Sequence, residues 1–571
     1  MACAFETAHR CVASSAGKAL LSRVSQDNYS AHIATTLARD RCRPRGTIGQ
    51  HAAAESRRIL GAVVSDQREA GENGWDAVLS RFEARRVAAH ASGGPERIER
   101  HHAKGALTAI ERVLALLDPG TFREIGTFAG AGVDAPRDAF VAGHGLIHSR
   151  PVLVGAEDAA VQGGSIGSAG TSKRARLALL AAQERVPLVM LLDGAGHRVS
   201  STPERLRPAP TDLSLLADLI GVAPTIAVVH GASAGHGALT APLCDLVIMV
   251  HGQGQLFVAG PPLVAAATGE QIDKESLGGS AVHLASGVAH LGADSDEEAL
   301  ALVRQALSYL PANSGEAIAP SRNESLTALI PANQRVPYDM VAVFEAIFDG
   351  DSTFVVQDQF GASLITAFAR LDGVAVAVVA NQPMVRGGAL DADAASKATR
   401  FIDLAAAHGL PLLLLADNPG VIPGATSERS GALRAAARMF VAQHRHPGPK
   451  LHVTFRKAYG FGSSMMGQNP YDGQTVTLAL PDATVGAMPA RGGADAIAAD
   501  DPTRQRLADL EQGGPWRQAD TLSYDEVVLP DDLRHALIDS LRLSSARSAR
   551  STDTSDARGG RDGRARPNLR P

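Results

Sequence analysis

Cysteine is scarce in this chain: four in 571 residues, at positions 3, 11, 42 and 244, with no CxxC pair. That excludes a disulfide scaffold, argues against a cysteine-rich zinc site and fits a reducing cytosol. Aromatic residues make up only 4%, which leaves little for base-stacking surfaces. An excess of one charge is missing too, with 55 Lys and Arg against 60 Asp and Glu and a net charge of −5. No strong field therefore points to nucleic acid or to membrane lipid. No apolar run approaches the roughly 18 residues of a membrane span. The longest, such as VAVAVVA at 374–380, have the length of a strand. Against these shortages stand 57 Gly and 31 Pro, in a chain that is 45% apolar and 20% charged. Such a chain turns often, buries a sizeable core and is too long for one compact domain. Length alone suggests three or four units, or two if they are large α/β domains.

The ends read differently from the middle. Residues 1–74 are rich in Ala, Arg and Ser, with weak periodicity apart from a helical stretch around Ala52–Val64. The opening is Arg-bearing and poor in acids, as transit peptides are. It lacks an amphipathic helix and a secretory apolar segment, so a flexible N-terminal extension, or a mis-chosen start codon, is the plainer reading. Residues 544–571 are a low-complexity Arg/Ser/Asp/Gly segment that cannot bury an apolar face, which predicts a disordered tail.

Between these ends lies an internal repeat. GGSIGSAGTSKRARLALLAAQERVPLVMLLDGAG, from Gly163, aligns without a gap with GGALDADAASKATRFIDLAAAHGLPLLLLADNPG, from Gly387, at an offset of 224. Lys173 falls on Lys397, Pro187 on Pro411, Asp193 on Asp417 and Gly196 on Gly420. PTIAVVHGASAGHG, from Pro224, continues the match with PKLHVTFRKAYGFG, from Pro449, at an offset of 225. Upstream, DPGTF at 118–122 parallels DSTF at 351–354. Three matches in order identify a duplicated domain.

Each half reads as ββαβ. GLIHSRPVLVGAED and ARLDGVAVAVVANQ are hairpins, apolar runs around a short polar turn. The apolar periodicity predicts helices over 172–185 and 396–408. VPLVMLLD and LPLLLLAD are continuous apolar runs, expected of strands buried on both faces. TIAVVHG and LHVTFRK are the next strands, and a Pro-punctuated segment over roughly 311–337 joins the halves.

Two Gly-rich turns per half follow the buried strands: Asp193-Gly-Ala-Gly-His and Gly231-Ala-Ser-Ala-Gly-His-Gly, then Asp417-Asn-Pro-Gly and Ala458-Tyr-Gly-Phe-Gly. A turn of this kind at a helix start leaves backbone N–H groups aimed outward beside the positive end of the helix dipole. Such donors can hold a developing oxyanion, and losing one costs about 10²–10³ in rate. Strand-to-helix punctuation explains any one of these turns equally well. Their recurrence at equivalent places suits a reaction that passes a group between two carbonyl-type substrates.

At these residues the chain resembles the carboxyltransferase (β) subunits of biotin-dependent acyl-CoA carboxylases, from about Trp75 to Leu543. The resemblance rests on WDAVLSRFEARRVAAHASGGPERIERHHAKGALTAIERVLALLDPGTFREIG, on GQLFVAGPPLVAAATGEQIDKESLGGSAVHLASGVAHLGADSDEEAL and on YDMVAVFEAIFDGDSTFVVQDQFG, VVANQPM, DNPGVIPG and FRKAYGFG. It implies an α/β fold of two tandem crotonase-like (ββα superhelix) domains, here 75–315 on the acyl-CoA side and 338–543 on the biotin side, with 316–337 as linker. The form GPPLVAAATGE is closer to methylcrotonyl-CoA-type subunits than to the propionyl-CoA type. Members bind acyl-CoA on the first half and carboxybiotin on the second half of another protomer, commonly within a hexamer arranged as a trimer of dimers. Carboxybiotin releases CO₂, the biotin nitrogen takes the α-proton of the thioester, and the enolate attacks CO₂. No side-chain base is required, in keeping with the lack of a convincing Ser/His/Asp or paired-carboxylate arrangement.

Carried over position by position, the resemblance puts the first oxyanion hole at the N–H groups of Gly235 and His236 and the second at those of Phe461 and Gly462. Gly163 and Gly164 match a segment near the CoA, although close helix packing explains them as well. Gly194, Ala195 and Gly196, before Arg198, match a further substrate turn. Relatives have Gly where this chain has His236 and Ala where it has His197. These imidazoles either fill space and contact CoA, or alter acyl selection or proton transfer, as a group titrating near neutrality can. Ser464 stands where an Asp helps to set acyl-chain length. Asp193 and Asp417 are read as satisfying local N–H groups. Lys173 and Lys397 are read as packing or ion-pair residues, with CoA phosphate contact the alternative for Lys173. There is no biotinyl Met-Lys-Met segment and no ATP-grasp-like region, so a separate biotin carboxylase/biotin carrier (α) subunit is implied. No metal, nucleic acid or membrane is expected, and the cytoplasm is the expected location. The alternatives are a biotin-dependent decarboxylase or transcarboxylase subunit, and a non-catalytic paralogue serving in assembly.

Overall fold

The computed structural model describes residues 74–130, 136–198, 211–311, 313–322 and 324–547. The helix expected near 52–64, nearly all of the N-terminal extension and most of the tail lie outside them. Seventeen strands are named β1 to β17 in chain order. The first sheet runs β1 (Arg123–Glu124), β2 (Phe140–Ile147), β3 (Arg150–Glu157), β4 (Leu188–Leu192), β5 (Thr225–Val229), β7 (Leu246–Val250) and β9 (Leu291–Ala293). β6 (Ala232–Ala234) and β8 (Gln255–Phe257) form a separate parallel pair. The second sheet runs β10 (Phe354–Val356), β11 (Leu364–Leu371), β12 (Val374–Asn381), β13 (Leu412–Asn418), β14 (Lys450–Tyr459), β15 (Val476–Ala479) and β17 (Glu526–Val527). β16 (Thr484–Gly486) pairs with the end of β14. In both sheets the first three strands are antiparallel and the rest parallel.

The expected hairpins are β2–β3 and β11–β12, closed by the two-residue loops His148-Ser149 and Asp372-Gly373. All four loop residues have positive φ, 50° and 60° in the first and 53° and 77° in the second. That is the twist a two-residue loop needs to join right-twisted strands. The expected helices are Ser168–Glu184 and Ala392–Ala407, each starting four residues before its predicted edge. Their first turns, Ser-Ala-Gly-Thr and Ala-Asp-Ala-Ala, carry no large apolar residue to extend the period. The second start is fixed by Asp391, whose side chain accepts the Ala394 N–H at 2.8 Å. β4, β5 and β13 are buried throughout, as their unbroken apolar sequences require.

The two sheets share one core. Val154, Val189 and Val228 of the first sheet belong to the same apolar cluster as Phe368, Val379 and Leu414 of the second. The helix Asp296–Tyr309 contributes Ala299, Val303 and Leu307 to it, and Ala392–Ala407 contributes Ala398, Phe401 and Ala405. Tyr309 marks the joint: its ring stacks on Phe354 and Phe368 at 6.2 and 5.7 Å, and its hydroxyl donates to the Ser352 carbonyl at 2.6 Å. Arg400 of the second half donates to the Cys244 carbonyl of the first at 2.6 Å, and His408 meets Asp245 at 3.1 Å. Part of the joining segment lies on the second half, where Leu326 N–H donates to Asp531 at 2.9 Å.

Candidate active site

In the first half, three turns are stacked at the carboxyl ends of the parallel strands. The lowest is Gln162-Gly163-Gly164, with φ of 49°, 65° and 66°. A Cβ on Gly164 would stand 2.2 Å from the Asp193 carbonyl, so only glycine lets this turn close on the next one. The middle turn, Gly194 to Gly196, is tied to it: Ala195 N–H donates to Gly163 O at 3.0 Å and Ile166 N–H to Gly196 O at 2.8 Å. A Cβ on Gly196 would lie 2.5 Å from the Ala234 carbonyl, which brings the middle turn against the third, Ala234-Gly235-His236. The sequence candidates Gly163, Gly164, Gly194, Ala195, Gly196, Arg198, Gly235 and His236 thus form one cluster. Phe461, Gly462 and Ser464 form its duplicate at the end of β14.

Gly235 caps the helix His236–Leu243 with φ 56° and ψ −120°. Its own N–H donates to the Phe257 carbonyl at 3.0 Å, so it shapes the turn without facing outward. The first N–H groups of the helix then belong to His236 and Gly237, and a helix offers no internal acceptor for these. The same offset of 225 equates His236 with Phe461 and Gly237 with Gly462. In the second half the helix Gly460–Met465 opens directly from β14, with Phe461 53% exposed. A Cβ on Gly462 would fall 2.7 Å from Asn418 Oδ1 and 2.9 Å from Gly420 Cα, so the backbone alone fits there.

Charged groups that the sequence reading missed hold these turns from below. Glu157, at the end of β3, is fully buried; it pairs with Arg174 and accepts the Asp193 N–H at 2.7 Å. Burial pushes its carboxyl above the usual range, more strongly than Arg174 pulls it down. Arg174 also lies over the Phe140 ring, 4.7 Å from its centre. Asp193 does not cap local N–H groups as expected. Its carboxylate meets Arg112 at 2.9 Å, and Arg112 in turn meets Asp296 at 2.9 Å. His230 completes the group at 2.5 Å from Asp296. Burial works against the Asp296 carboxylate, but His230 and Arg112 outweigh it and hold the group below its usual range. Asp417 is likewise ion-paired, to Arg456 at 2.8 Å and Lys457 at 3.4 Å.

Arg198 spans Asp138 at 2.5 Å and the Ser165 carbonyl at 3.0 Å, which anchors the middle turn. His236 Nε2 lies 2.9 Å from the Asp212 carboxylate, and the His197 ring sits at 5.0 Å, tilted 58°. The Ser464 carbonyl accepts from the side-chain amide of Asn469 at 2.7 Å. Lys173 and Lys397 play matching parts. Their ammonium groups donate to the Phe140 and Gln357 carbonyls at 2.8 and 3.0 Å, and burial pulls both down to about 8. Among the described residues no group of three or more His, Cys, Asp or Glu could hold a metal ion. Among them, too, no helix is long and apolar enough to cross a membrane.

Comparison with known proteins matches this geometry to one family. The carboxyl transferase domain fits residues 100–557. A propionyl-CoA carboxylase carboxyltransferase subunit of Haloferax mediterranei is 34% identical over 81% of this chain and 95% of its own. The methylmalonyl-CoA decarboxylase subunit alpha of Veillonella parvula is 33% identical over 80% and 94%. The crystal structure of a transcarboxylase 12S hexamer with methylmalonyl-coenzyme A and methylmalonic acid bound superposes with a TM-score of 0.78 at 30% identity, covering 83% of this chain and 97% of that one. The duplicated turns and a match that spans both halves agree: the chain belongs to the carboxyl transferase family, as a carboxyltransferase subunit of the acyl-CoA carboxylase type built from two tandem crotonase-like domains.

Proposed function

We propose that this subunit moves CO₂ between carboxybiotin and the α- or γ-carbon of an acyl-CoA, with one backbone oxyanion hole for each partner. The observation that carries the reading is the recurrence of the turns. Ile166 N–H to Gly196 O and Arg198 N–H to Ile166 O in the first half reappear as Leu390 N–H to Gly420 O and Ile422 N–H to Leu390 O. In this reading the N–H groups of His236 and Gly237 hold the thioester oxygen as it gains charge, while Gly235 sets the turn. Gly163, Gly164 and Gly194 to Gly196 bring backbone close to the CoA, and Arg198 steadies them. Phe461 and Gly462 point N–H groups at the ureido oxygen of biotin, a group that fits a turn with no room for a side chain at Gly462. Carboxybiotin, brought by a separate biotin carboxylase/biotin carrier subunit, supplies the CO₂ and the nitrogen that takes the α-proton. Fixed N–H donors cost no reorganisation when charge develops, which is why two turns can serve where no side-chain base stands.

The domain division at 75–315 and 338–543, the hexamer of three dimers and a cytoplasmic location belong to the same proposal. Light scattering tests the assembly. The function is tested by the half-reaction: purified protein with free biotin and malonyl-, methylmalonyl- or 3-methylglutaconyl-CoA in turn. Biotin-dependent decarboxylation of one ester supports the reading and names the acyl class. Silence with all three from a folded oligomer moves the weight to a narrower substrate or to a non-catalytic assembly subunit. The likeness to a decarboxylase subunit and to transcarboxylase 12S keeps the opposite direction as a second reading, since the same two holes serve it.

A further inference from the structure

His236 and Phe461 are equivalent in the duplication, yet their side chains are placed differently. Phe461 is 53% exposed, whereas only 12% of the His236 side chain is accessible. The imidazole is folded inward and held by two residues. Asp212, 4% exposed and in the first turn of the helix Asp212–Ala217, takes Nε2 at 2.9 Å. His197, from the middle turn, covers the ring at 5.0 Å. Behind Asp212 the space lined by Arg174, Met190, Leu216 and Thr240 has room for about one water. Since the N–H of the same residue opens the helix, the ring lies within one residue of the first hole.

We infer that His236, fixed by Asp212 and covered by His197, determines acyl selection at this site, admitting short acyl groups such as acetyl and propionyl and rejecting longer ones. The inference rests on the carboxyl-transfer reading above. A glycine at 236 would keep the backbone donor and remove the ring. A rigid, hydrogen-bonded ring excludes chain better than a mobile one, because moving it would leave the buried Asp212 carboxylate without this partner. One or two methylenes at such a ring amount to about 10- to 200-fold in selection.

The experiment compares biotin-dependent decarboxylation of methylmalonyl-CoA and butylmalonyl-CoA by the full chain and its variants. In His236→Gly, the kcat/KM ratio of butylmalonyl- to methylmalonyl-CoA should rise by about 10-fold or more. Asp212→Asn keeps the ring and loosens its hold, and should raise the ratio less, about 3-fold, from the same cause. If His236→Gly does not fold, Asp212→Asn/His236→Ala replaces it, because that pair removes the buried charge together with the ring. An unchanged ratio in a folded, active variant overturns the selection and leaves the function standing. A lower melting temperature with an unchanged ratio does the same, and assigns the pair to packing. No biotin-dependent turnover of any ester by the wild-type chain overturns the carboxyl-transfer reading and the selection with it.

Discussion

In the first half the group beneath the stacked turns is the carboxylate of Glu157, which needs Arg174 beside it. At the equivalent places the second half has Asn381 and Ala398. Asn381 receives the Asp417 N–H at 3.1 Å and donates to the Gly388 carbonyl at 3.0 Å. A neutral amide does the work of an ion pair. The cation on the strand-end aspartate changes source as well. In the second half it is Arg456 of β14 itself; in the first it is Arg112, from a helix before the sheet. The first half has Gly231 where Arg456 stands, and its strand is broken there into β5 and β6, while β14 runs unbroken for ten residues. Backbone geometry was kept after duplication, and the side chains that support it were not. What the turn needs is a carbonyl-type acceptor and a cation, and several residue types supply them.

The sharpest way to break the comparison is to remove one member of the charged pair. Arg174→Ala leaves Glu157 buried and unpaired and should cost about 3–5 kcal/mol in urea unfolding. The double change Glu157→Asn/Arg174→Ala imports the solution of the second half and should recover most of that loss. A double variant as unstable as the single one would show that the halves are not interchangeable.

Next come the donors. Proline fits the first turn of a helix and removes the N–H together with the side chain, for which His236→Ala and Phe461→Ala are the controls. His236→Pro and Phe461→Pro should each lower kcat/KM of the full carboxylation by about 10²–10³, measured with the biotin-carrying partner. Equal losses would mark both turns as holes; a loss in one alone would restrict the chemistry to that half. Gly231→Ala sets a Cβ 1.9 Å from Asp193 Oδ1 and should cost about 1–3 kcal/mol by denaturant midpoint.

The smallest effect tests where the halves agree. Lys173 and Lys397 are both pulled down to about 8 by burial, against roughly 10.4 when unfolded. Between those values the unfolded chain holds more protons, so stability contributed by both rises with pH across the window and is absent below it. The urea midpoint should increase from pH 7.5 to 9.5 in the wild type, and Lys173→Met/Lys397→Met should flatten that increase.

The duplication itself was legible in the sequence because backbone turns write themselves as glycines at fixed spacing. Gly164 with Gly388 and Gly196 with Gly420 mark the same hydrogen bonds in both halves. Hairpins and buried strands were legible for a similar reason, since apolar runs and two-residue turns are local. The supports were not. Arg112 reaches Asp296 across 184 positions, and no periodicity announces such a meeting. The Asp212–His236 pair needs two helix starts to be brought together by the fold. The role of Gly235 was misjudged because its N–H is taken by Phe257, on a neighbouring strand in space.

The apolar cluster that runs through both sheets bears on whether such a chain can be divided. Severing it between the halves would strip cover from Phe354, Phe368, Leu414 and the helix Ala392–Ala407 on one fragment, and from Val303 and Tyr309 on the other. Neither fragment would be soluble for long by itself, and each would have the other as its natural chaperone. Calorimetry of the intact chain should then record a single melting event rather than two.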